Sequence, residues 1–364
     1  MSTSPAVSAS ALSAPGQLLQ RYGLDSLQQH QVLVVNSSDT AAAELPNVCS
    51  WNLHFGYHQL WQASGKQSHF TASTPDYAAT AAIVYVPKEK PLLTMLLAAL
   101  ARLLPVGAPV WLVGEKRSGI KSVAKQLSNA FSGAQKLTDG NHCSLFASEL
   151  VTQAAGWKLD DYASWVQYQH PLTDTRLELC TFPGVFAHES VDSGSHYLLR
   201  HLPIPRASSR VLDFACGAGV LGACLQQQQP QLQVTYVDVS ALALAATEAT
   251  LTCNKLAIDG DSTTVMAADK LDSKLGKFDF IVSHPPFHTG VATDYRIGQQ
   301  FLRQAREHLT AQGELWLVAN KFLPWPELIE QSFGHCERIA NDNRYAVYRA
   351  QAKAPVRSKG RRKA

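Results

Sequence analysis

The sequence predicts an α/β protein built as two tandem Rossmann-like domains, the first a degenerate copy of the second. Three observations carry this expectation. The length of 364 residues suits two domains of ordinary size and is too great for one. Apolar runs alternate with helical patterns through both halves, as in a parallel sheet covered on both faces. Three strand-like segments also recur in the same order: Val32-Leu-Val-Val35 resembles Val211-Leu-Asp-Phe214, Ile83-Val-Tyr-Val-Pro87 resembles Ile281-Val-Ser-His-Pro285, and Trp111-Leu-Val-Gly-Glu-Lys116 resembles Trp316-Leu-Val-Ala-Asn-Lys321.

The elements follow in order. Residues 1–18, rich in Ser and Ala, carry no cation ahead of an apolar block; they are expected to be a disordered tail, not a signal peptide. Residues 19–155 form the first domain. Its apolar stretch from Pro91 to Val113 is interrupted by Arg102, Pro105 and Gly107, so it predicts a buried core helix and not a membrane span. Residues 156–180 are expected as a linker and 181–350 as the second domain. There the predicted strands are 210–214, 233–237, 263–267, 278–283 and 313–319, with helices at 241–255 and 298–308. Two β-like runs, 336–340 and 344–349, flank Asn341-Asp342-Asn343, residue types that tolerate a tight turn, so an antiparallel hairpin ends a mostly parallel sheet.

Composition narrows the function. Hydrophobic residues are 46% and charged residues 17%, a globular balance that excludes wholesale disorder and fibrous repeats. Seven scattered cysteines without a C-x-x-C pair argue against a disulfide framework and a structural zinc site, and place the chain in a reducing cytoplasm. The net charge of +3 hides an asymmetry. Residues 351–364 hold Lys353, Arg357, Lys359, Arg361, Arg362 and Lys363 and no acid, so the remainder is acidic and the tail is suited to phosphates.

The chemistry lies in the second half. Asp213-Phe-Ala-Cys216-Gly217-Ala-Gly219-Val-Leu-Gly222 follows a predicted strand and opens a helix, so backbone N–H groups face a ligand. The first half has Val34-Val-Asn-Ser-Ser-Asp39 there, without glycine. The loop also satisfies a dinucleotide fingerprint, and Asp238 at the next strand end suits ribose hydroxyls in either reading. Asp213 favours a methyl donor, because its carboxylate suits the cationic methionine end of S-adenosylmethionine and would repel a pyrophosphate. Asp269, after the third strand, offers an acceptor for an adenine amino group. Cys216 has no His placed to activate it and reads as a loop filler.

The strand 278–283 runs into His284-Pro285-Pro286-Phe287-His288. Consecutive prolines hold the backbone extended and free the carbonyls before them to accept hydrogen bonds, as an exocyclic amino group undergoing methylation requires. Phe287 suits stacking on a planar base. His284 and His288 have zinc-like spacing, but the prolines forbid a helix face between them, so no metal is expected. Lys88, Lys90, Lys116, Arg117 and Lys121 follow two predicted strands of the first half at one sheet edge and are candidate RNA phosphate contacts.

Here the sequence resembles a known family, the ribosomal RNA small subunit methyltransferase C family of bacterial 16S rRNA guanine-N2 methyltransferases. The resembling stretches are Leu103-Leu-Pro-Val-Gly107, Val113-Gly-Glu-Lys-Arg-Ser-Gly119, Pro183-Gly-Val-Phe186, Asp192-Ser-Gly-Ser195, the glycine loop, Pro285-Pro-Phe-His288 and Val318-Ala-Asn-Lys-Phe-Leu-Pro324. The resemblance implies two class I methyltransferase domains, the first having lost cofactor binding and serving RNA recognition. It implies that Asp213, Cys216, Gly217, Gly219, Asp238 and Asp269 hold S-adenosylmethionine and that His284, Pro285, Pro286 and Phe287 hold the target guanine. The expected partner is 16S rRNA within the small subunit, met by a monomer with no membrane. The family has Asn where this chain has His284, which leaves the side-chain contact to the amino group open while the backbone carbonyls stay available. The competing activities are methylation of another base amino group or of a protein glutamine, and an inactive RNA-binding assembly factor.

Overall fold

A computed structural model describes residues 12–187, 190–256, 258–285 and 292–352. The chain divides into two compact units, before and after Ser164. In the first, α1 (Ala14–Tyr22) precedes β1 (Val32–Val35), β2 (Val48–Asn52), α2 (Phe55–Ala63), β3 (Gln67–Phe70), β4 (Ala81–Tyr85), α3 (Lys90–Leu103), β5 (Pro109–Glu115), β6 (Gln135–Gly140) and β7 (Cys143–Glu149). The sheet order is β3-β2-β1-β4-β5-β7-β6. Its first five strands are parallel, and β7 returns antiparallel between β5 and β6. The first part of the apolar stretch is α3, which starts at a Lys90-Pro91 N-terminus suited to the missing proline N–H and buries Leu92, Leu93, Met95, Leu96 and Leu100, while the last residues of the stretch, 109–113, lie in β5. No helix among the described residues is long and apolar enough to cross a membrane.

The second unit opens with a hairpin, β8 (Ser164–Gln169) and β9 (Arg176–Thr181). Then come α4 (Ser193–Leu199), β10 (Arg210–Phe214), α5 (Val220–Gln228), β11 (Gln233–Asp238), α6 (Ala241–Cys253), β12 (Thr263–Ala267), β13 (Phe278–Ser283), α7 (Ala292–His308), β14 (Leu309–Asn320), α8 (Trp325–Phe333), β15 (Glu337–Asn341) and β16 (Tyr345–Gln351). The order is β12-β11-β10-β13-β14-β16-β15. It repeats the first sheet strand for strand, and the three recurring segments fall on equivalent strands: β1 and β10, β4 and β13, β5 and β14.

Alternate residues of the second sheet feed two cores, as a period-2 strand requires. Val211, Val234, Phe280, Val282, Trp316 and Val347 pack with α4, α5 and the β8–β9 hairpin. Leu212, Val237, Ile281, Leu317 and Tyr348 pack with α7 and α8. The closing turn is held by Asp342, whose Oδ1 accepts from the N–H groups of Arg344 and Tyr345 at 2.6 Å.

Two expected boundaries need correction. The tail expected over residues 1–18 contains the start of α1, where Ser13 caps the helix and Leu18 is buried. The linker expected over 156–180 holds the β8–β9 hairpin, which belongs to the second unit. Its strand β9 is tied to α6 through Cys180 N–H to Thr250 Oγ1 at 2.9 Å and Glu178 N–H to Asn254 Oδ1 at 3.0 Å. Mixed polar and apolar residues there signal a strand only once a helix face is available to pack on. Most of the basic tail lies outside the described residues.

Candidate active site

Between β10 and α5 the chain turns through left-handed conformations at Ala215 (φ 58°), Gly217 (φ 57°) and Gly219 (φ 77°). A Cβ on Gly217 would meet nothing within 4 Å, so this backbone borders open space. Gly222 is needed for a different reason. A Cβ there would lie 2.4 Å from the Tyr236 ring, so α5 rests directly on β11. Thr247 of α6 steadies the loop, its Oγ1 donating to the Gly217 carbonyl at 2.9 Å. Cys216 is buried 3.4 Å from the same hydroxyl, and burial pushes its thiol well above the ordinary range, which suits a filler and not a nucleophile.

Two carboxylates border this loop, and a third follows the strand next to β11. Asp213 is fully buried. Its Oδ2 accepts from Gly222 N–H at 2.9 Å, while Oδ1 has no hydrogen-bond partner among the described residues. Burial, opposed by the Gly222 N–H and reinforced by the Asp238 charge, pushes its pKa up to about 7. Asp238 ends β11 and accepts from Gly217 N–H at 3.0 Å and Ser240 N–H at 2.9 Å; burial raises its pKa against these donors. Asp269 is exposed just past β12, the strand beside β11.

The first unit shows what the loop becomes without glycines. Val34, one residue from the end of β1, stands where Asp213 stands in β10. Asn52 ends β2 as Asp238 ends β11, and its Oδ1 accepts from Ser37 N–H at 3.1 Å. Asp39 is buried and saturated by Tyr85 Oη at 2.8 Å, Ala41 N–H at 2.9 Å and the Ser13 hydroxyl. Protein groups here satisfy one another, whereas in the second unit one carboxylate oxygen is left without a partner.

At the end of β13, His284 and Pro285 are buried and line a cleft of about 340 Å³ with Phe186, Asp192, Ala319, Asn320, Arg344 and Tyr345. The His284 ring is turned into the protein. Its Nδ1 lies 3.0 Å from Ser195 Oγ and 3.2 Å from Asp192 Oδ1, and its ring meets Phe186 and Tyr345 edge-on. Gly194 makes this approach possible, since a Cβ there would lie 2.6 Å from His284 Cε1. The Nδ1 edge is therefore committed to the start of α4. Pro286, Phe287 and His288 lie outside the described residues. No group of three or more His, Cys, Asp or Glu among the described residues is placed to hold a metal.

Sequence reasoning singled out the glycine loop, Asp238 and His284 but missed Asp192, Ser195, Thr247, Arg344 and Tyr345. The Asp192-Ser-Gly-Ser195 segment was a visible signal; its partner was not, because it is distant in the chain. Lys88 and Lys90 follow β4 and Lys116, Arg117 and Lys121 follow β5, so all five sit at the carboxyl edge of two adjacent parallel strands and are exposed. Arg117 is ion-paired with Glu115, and Lys116 lies 3.9 Å from Asp139.

Comparison with known proteins matches residues 176–349 to the Methyltransferase small domain family and residues 16–166 to the Methyltransferase small domain N-terminal family. A protein from Idiomarina loihiensis named ribosomal RNA small subunit methyltransferase C is 41% identical over 338 residues, 92% of this chain and 97% of its own length. The chain belongs to the ribosomal RNA small subunit methyltransferase C family. A Pseudomonas paraeruginosa protein of that name is 42% identical over 316 residues, covering 86% of this chain and 92% of its own. The fold is shared with the T. thermophilus 16S rRNA N2 G1207 methyltransferase, solved in complex with AdoMet and guanosine, at a TM-score of 0.79 and 21% identity over 94% of this chain and 92% of that one. The glycine loop and cleft both fall in the 176–349 match, and the glycine-free copy falls in the 16–166 match.

Proposed function

We propose that this chain transfers a methyl group from S-adenosylmethionine to the exocyclic N2 of a guanine in 16S rRNA, the G1207 named for the T. thermophilus protein. The observation that carries the reading is the buried Asp213 with one oxygen lacking a partner, beside an open glycine backbone, in a chain 41% identical to named relatives over nearly its whole length. A buried carboxylate oxygen without a donor is costly, and a cationic ligand repays it.

The residues fit this cofactor. Asp213 would hold its cationic methionine end, the Gly217–Gly219 backbone would border it, Asp238 would take ribose hydroxyls and Asp269 the adenine amino group. When bound, S-adenosylmethionine supplies an electrophilic methyl group. The chain would supply position: the carbonyls of His284 and Pro285 would accept hydrogen bonds from the N2 amino group, which would gain the methyl group as the cofactor's C–S bond breaks and release one proton to water. The target base leaves any stack to enter a cleft of this size. The glycine-free unit, with Lys88, Lys90, Lys116, Arg117 and Lys121 on one sheet edge, would serve RNA phosphates, and the basic tail would add to this. The protein would act as a monomer on the small subunit in the cytoplasm.

The test uses small subunits from cells lacking this protein. Incubation with purified chain and methyl-labelled cofactor should place one label on N2 of a single guanine. Label on another base, on protein, or on no substrate despite tight cofactor binding overturns the reading.

A further inference from the structure

The cleft beside His284 has a rim that the guanine-methylating reading does not use. Just past β14, Phe322 is 78% exposed, the most exposed large apolar side chain among the described residues. Isolated exposed apolar residues are ordinary, but this one is held in place. Its N–H donates to Asn320 Oδ1 at 3.1 Å, Lys321 N–H donates to the Arg344 carbonyl at 3.0 Å, and Leu323 N–H donates to the Asn320 carbonyl at 3.1 Å. The buried Trp325 anchors the chain beyond. The ring is therefore presented to water on a braced turn.

Two cations flank it. Lys321 Nζ lies 5.3 Å from the Phe322 ring centre and donates to the Asp342 carbonyl at 2.9 Å. The Arg344 guanidinium lies 5.0 Å over the Tyr345 ring and lines the cleft together with His284 and Pro285. Asn320 joins the two features, since it both lines the cleft and binds the Phe322 N–H. An exposed aromatic face next to two cations, bordering a cleft of one-base size, matches the stacking platform and phosphate contacts of single-stranded nucleic-acid sites.

We propose that Phe322, Lys321 and Arg344 bind the nucleotide adjoining the target guanine, the Phe322 ring stacking on its base and the two cations contacting the phosphate between them. The assignment rests on the rRNA reading for its choice of ligand. It explains why an apolar ring is braced in water at the cleft edge, and it makes recognition depend on an unpaired neighbour as well as on the guanine.

The test uses the full chain and a short fluorescent single-stranded RNA with one central guanine, read by anisotropy with S-adenosylhomocysteine present, so that it does not depend on turnover. Phe322→Ala should weaken RNA binding by about 5- to 150-fold, the range of one lost stacking contact, with cofactor affinity unchanged. Phe322→Tyr should restore it and Phe322→Leu should not. Removing the base on the correct side of the guanine should weaken wild-type binding by a similar factor and leave Phe322→Ala unaffected. Lys321→Gln and Arg344→Gln should each lower the salt dependence of binding. Unchanged affinity in Phe322→Ala, rescue by Leu as complete as by Tyr, or additive losses from the variant and the missing base would each overturn the proposal. Loss of methyl transfer in wild type with these RNA results intact would instead count against the methylation reading alone.

Discussion

Asp213→Asn separates what the buried carboxylate costs the fold from what it gives the cofactor. The wild-type group is held near 7 against an ordinary value of 3.8. At 1.36 kcal/mol per pH unit, keeping it ionised above pH 7 costs the folded state about 4 kcal/mol. The sign follows from proton uptake. Below about pH 4 both folded and unfolded chains are protonated and nothing is lost. Between about 4 and 7 the folded chain retains a proton that the unfolded chain has released, so stability falls as pH rises, and above 7 the full cost is present. Asn removes this cost but buries an amide N–H without an acceptor, at about 1–3 kcal/mol. The ligand-free variant should therefore be more stable than wild type at pH 8 by about 1–3 kcal/mol, with the difference crossing zero between about pH 4.5 and 6 and favouring wild type by about 1–3 kcal/mol near pH 4. Binding should move the other way. A cation at Asp213 favours the ionised form, so wild-type affinity should rise roughly 15-fold from pH 5.5 to 7, below the titration of the cofactor's own amino group. Asp213→Asn should bind more than tenfold more weakly at pH 7 and show a flatter profile. The assays are urea unfolding and calorimetric titration with S-adenosylmethionine across this range. A variant less stable than wild type at pH 8, or one with the wild-type pH profile for binding, would refute the reasoning.

The other expectations concern the same site. Gly222→Ala forces a methyl group to within 2.4 Å of the Tyr236 ring and should cost about 1–3 kcal/mol in urea unfolding, with cofactor affinity falling as the loop shifts; a wild-type midpoint would contradict the close packing. Asp238→Ala should keep the fold and weaken S-adenosylmethionine at least tenfold in calorimetry, and unchanged affinity would remove the ribose assignment. His284 is held by Asp192 and Ser195, so if that contact positions it for the reaction, His284→Asn and Asp192→Asn should each lower the single-turnover rate, with the double variant no slower than the slower single one. Independent, multiplying losses would show that the imidazole serves the base directly.

Much of the architecture was written locally. The strands at 210–214, 263–267 and 278–283 coincide with β10, β12 and β13, because alternating apolar residues commit a short segment to a sheet with two covered faces. The glycine loop was legible for a similar reason: only glycine gives an open backbone at Gly217 and direct helix-on-strand packing at Gly222. The duplication was legible too, since Val34 and Asp213 occupy matching places in strands of the same rank.

Tertiary structure alone decided the rest. The order β14-β16-β15, with the last strand inserted beside β14, depends on which edge is free when the hairpin arrives. The direction of the His284 imidazole depends on Asp192 and Ser195, far away in the chain, and on a glycine small enough to admit the ring. Whether Asp213 keeps one oxygen unpaired depends on every donor that packs around it. Backbone preference and burial periodicity act over a few residues and can be read from them, whereas the partner of a polar side chain is chosen by whatever the completed fold brings within about 3 Å.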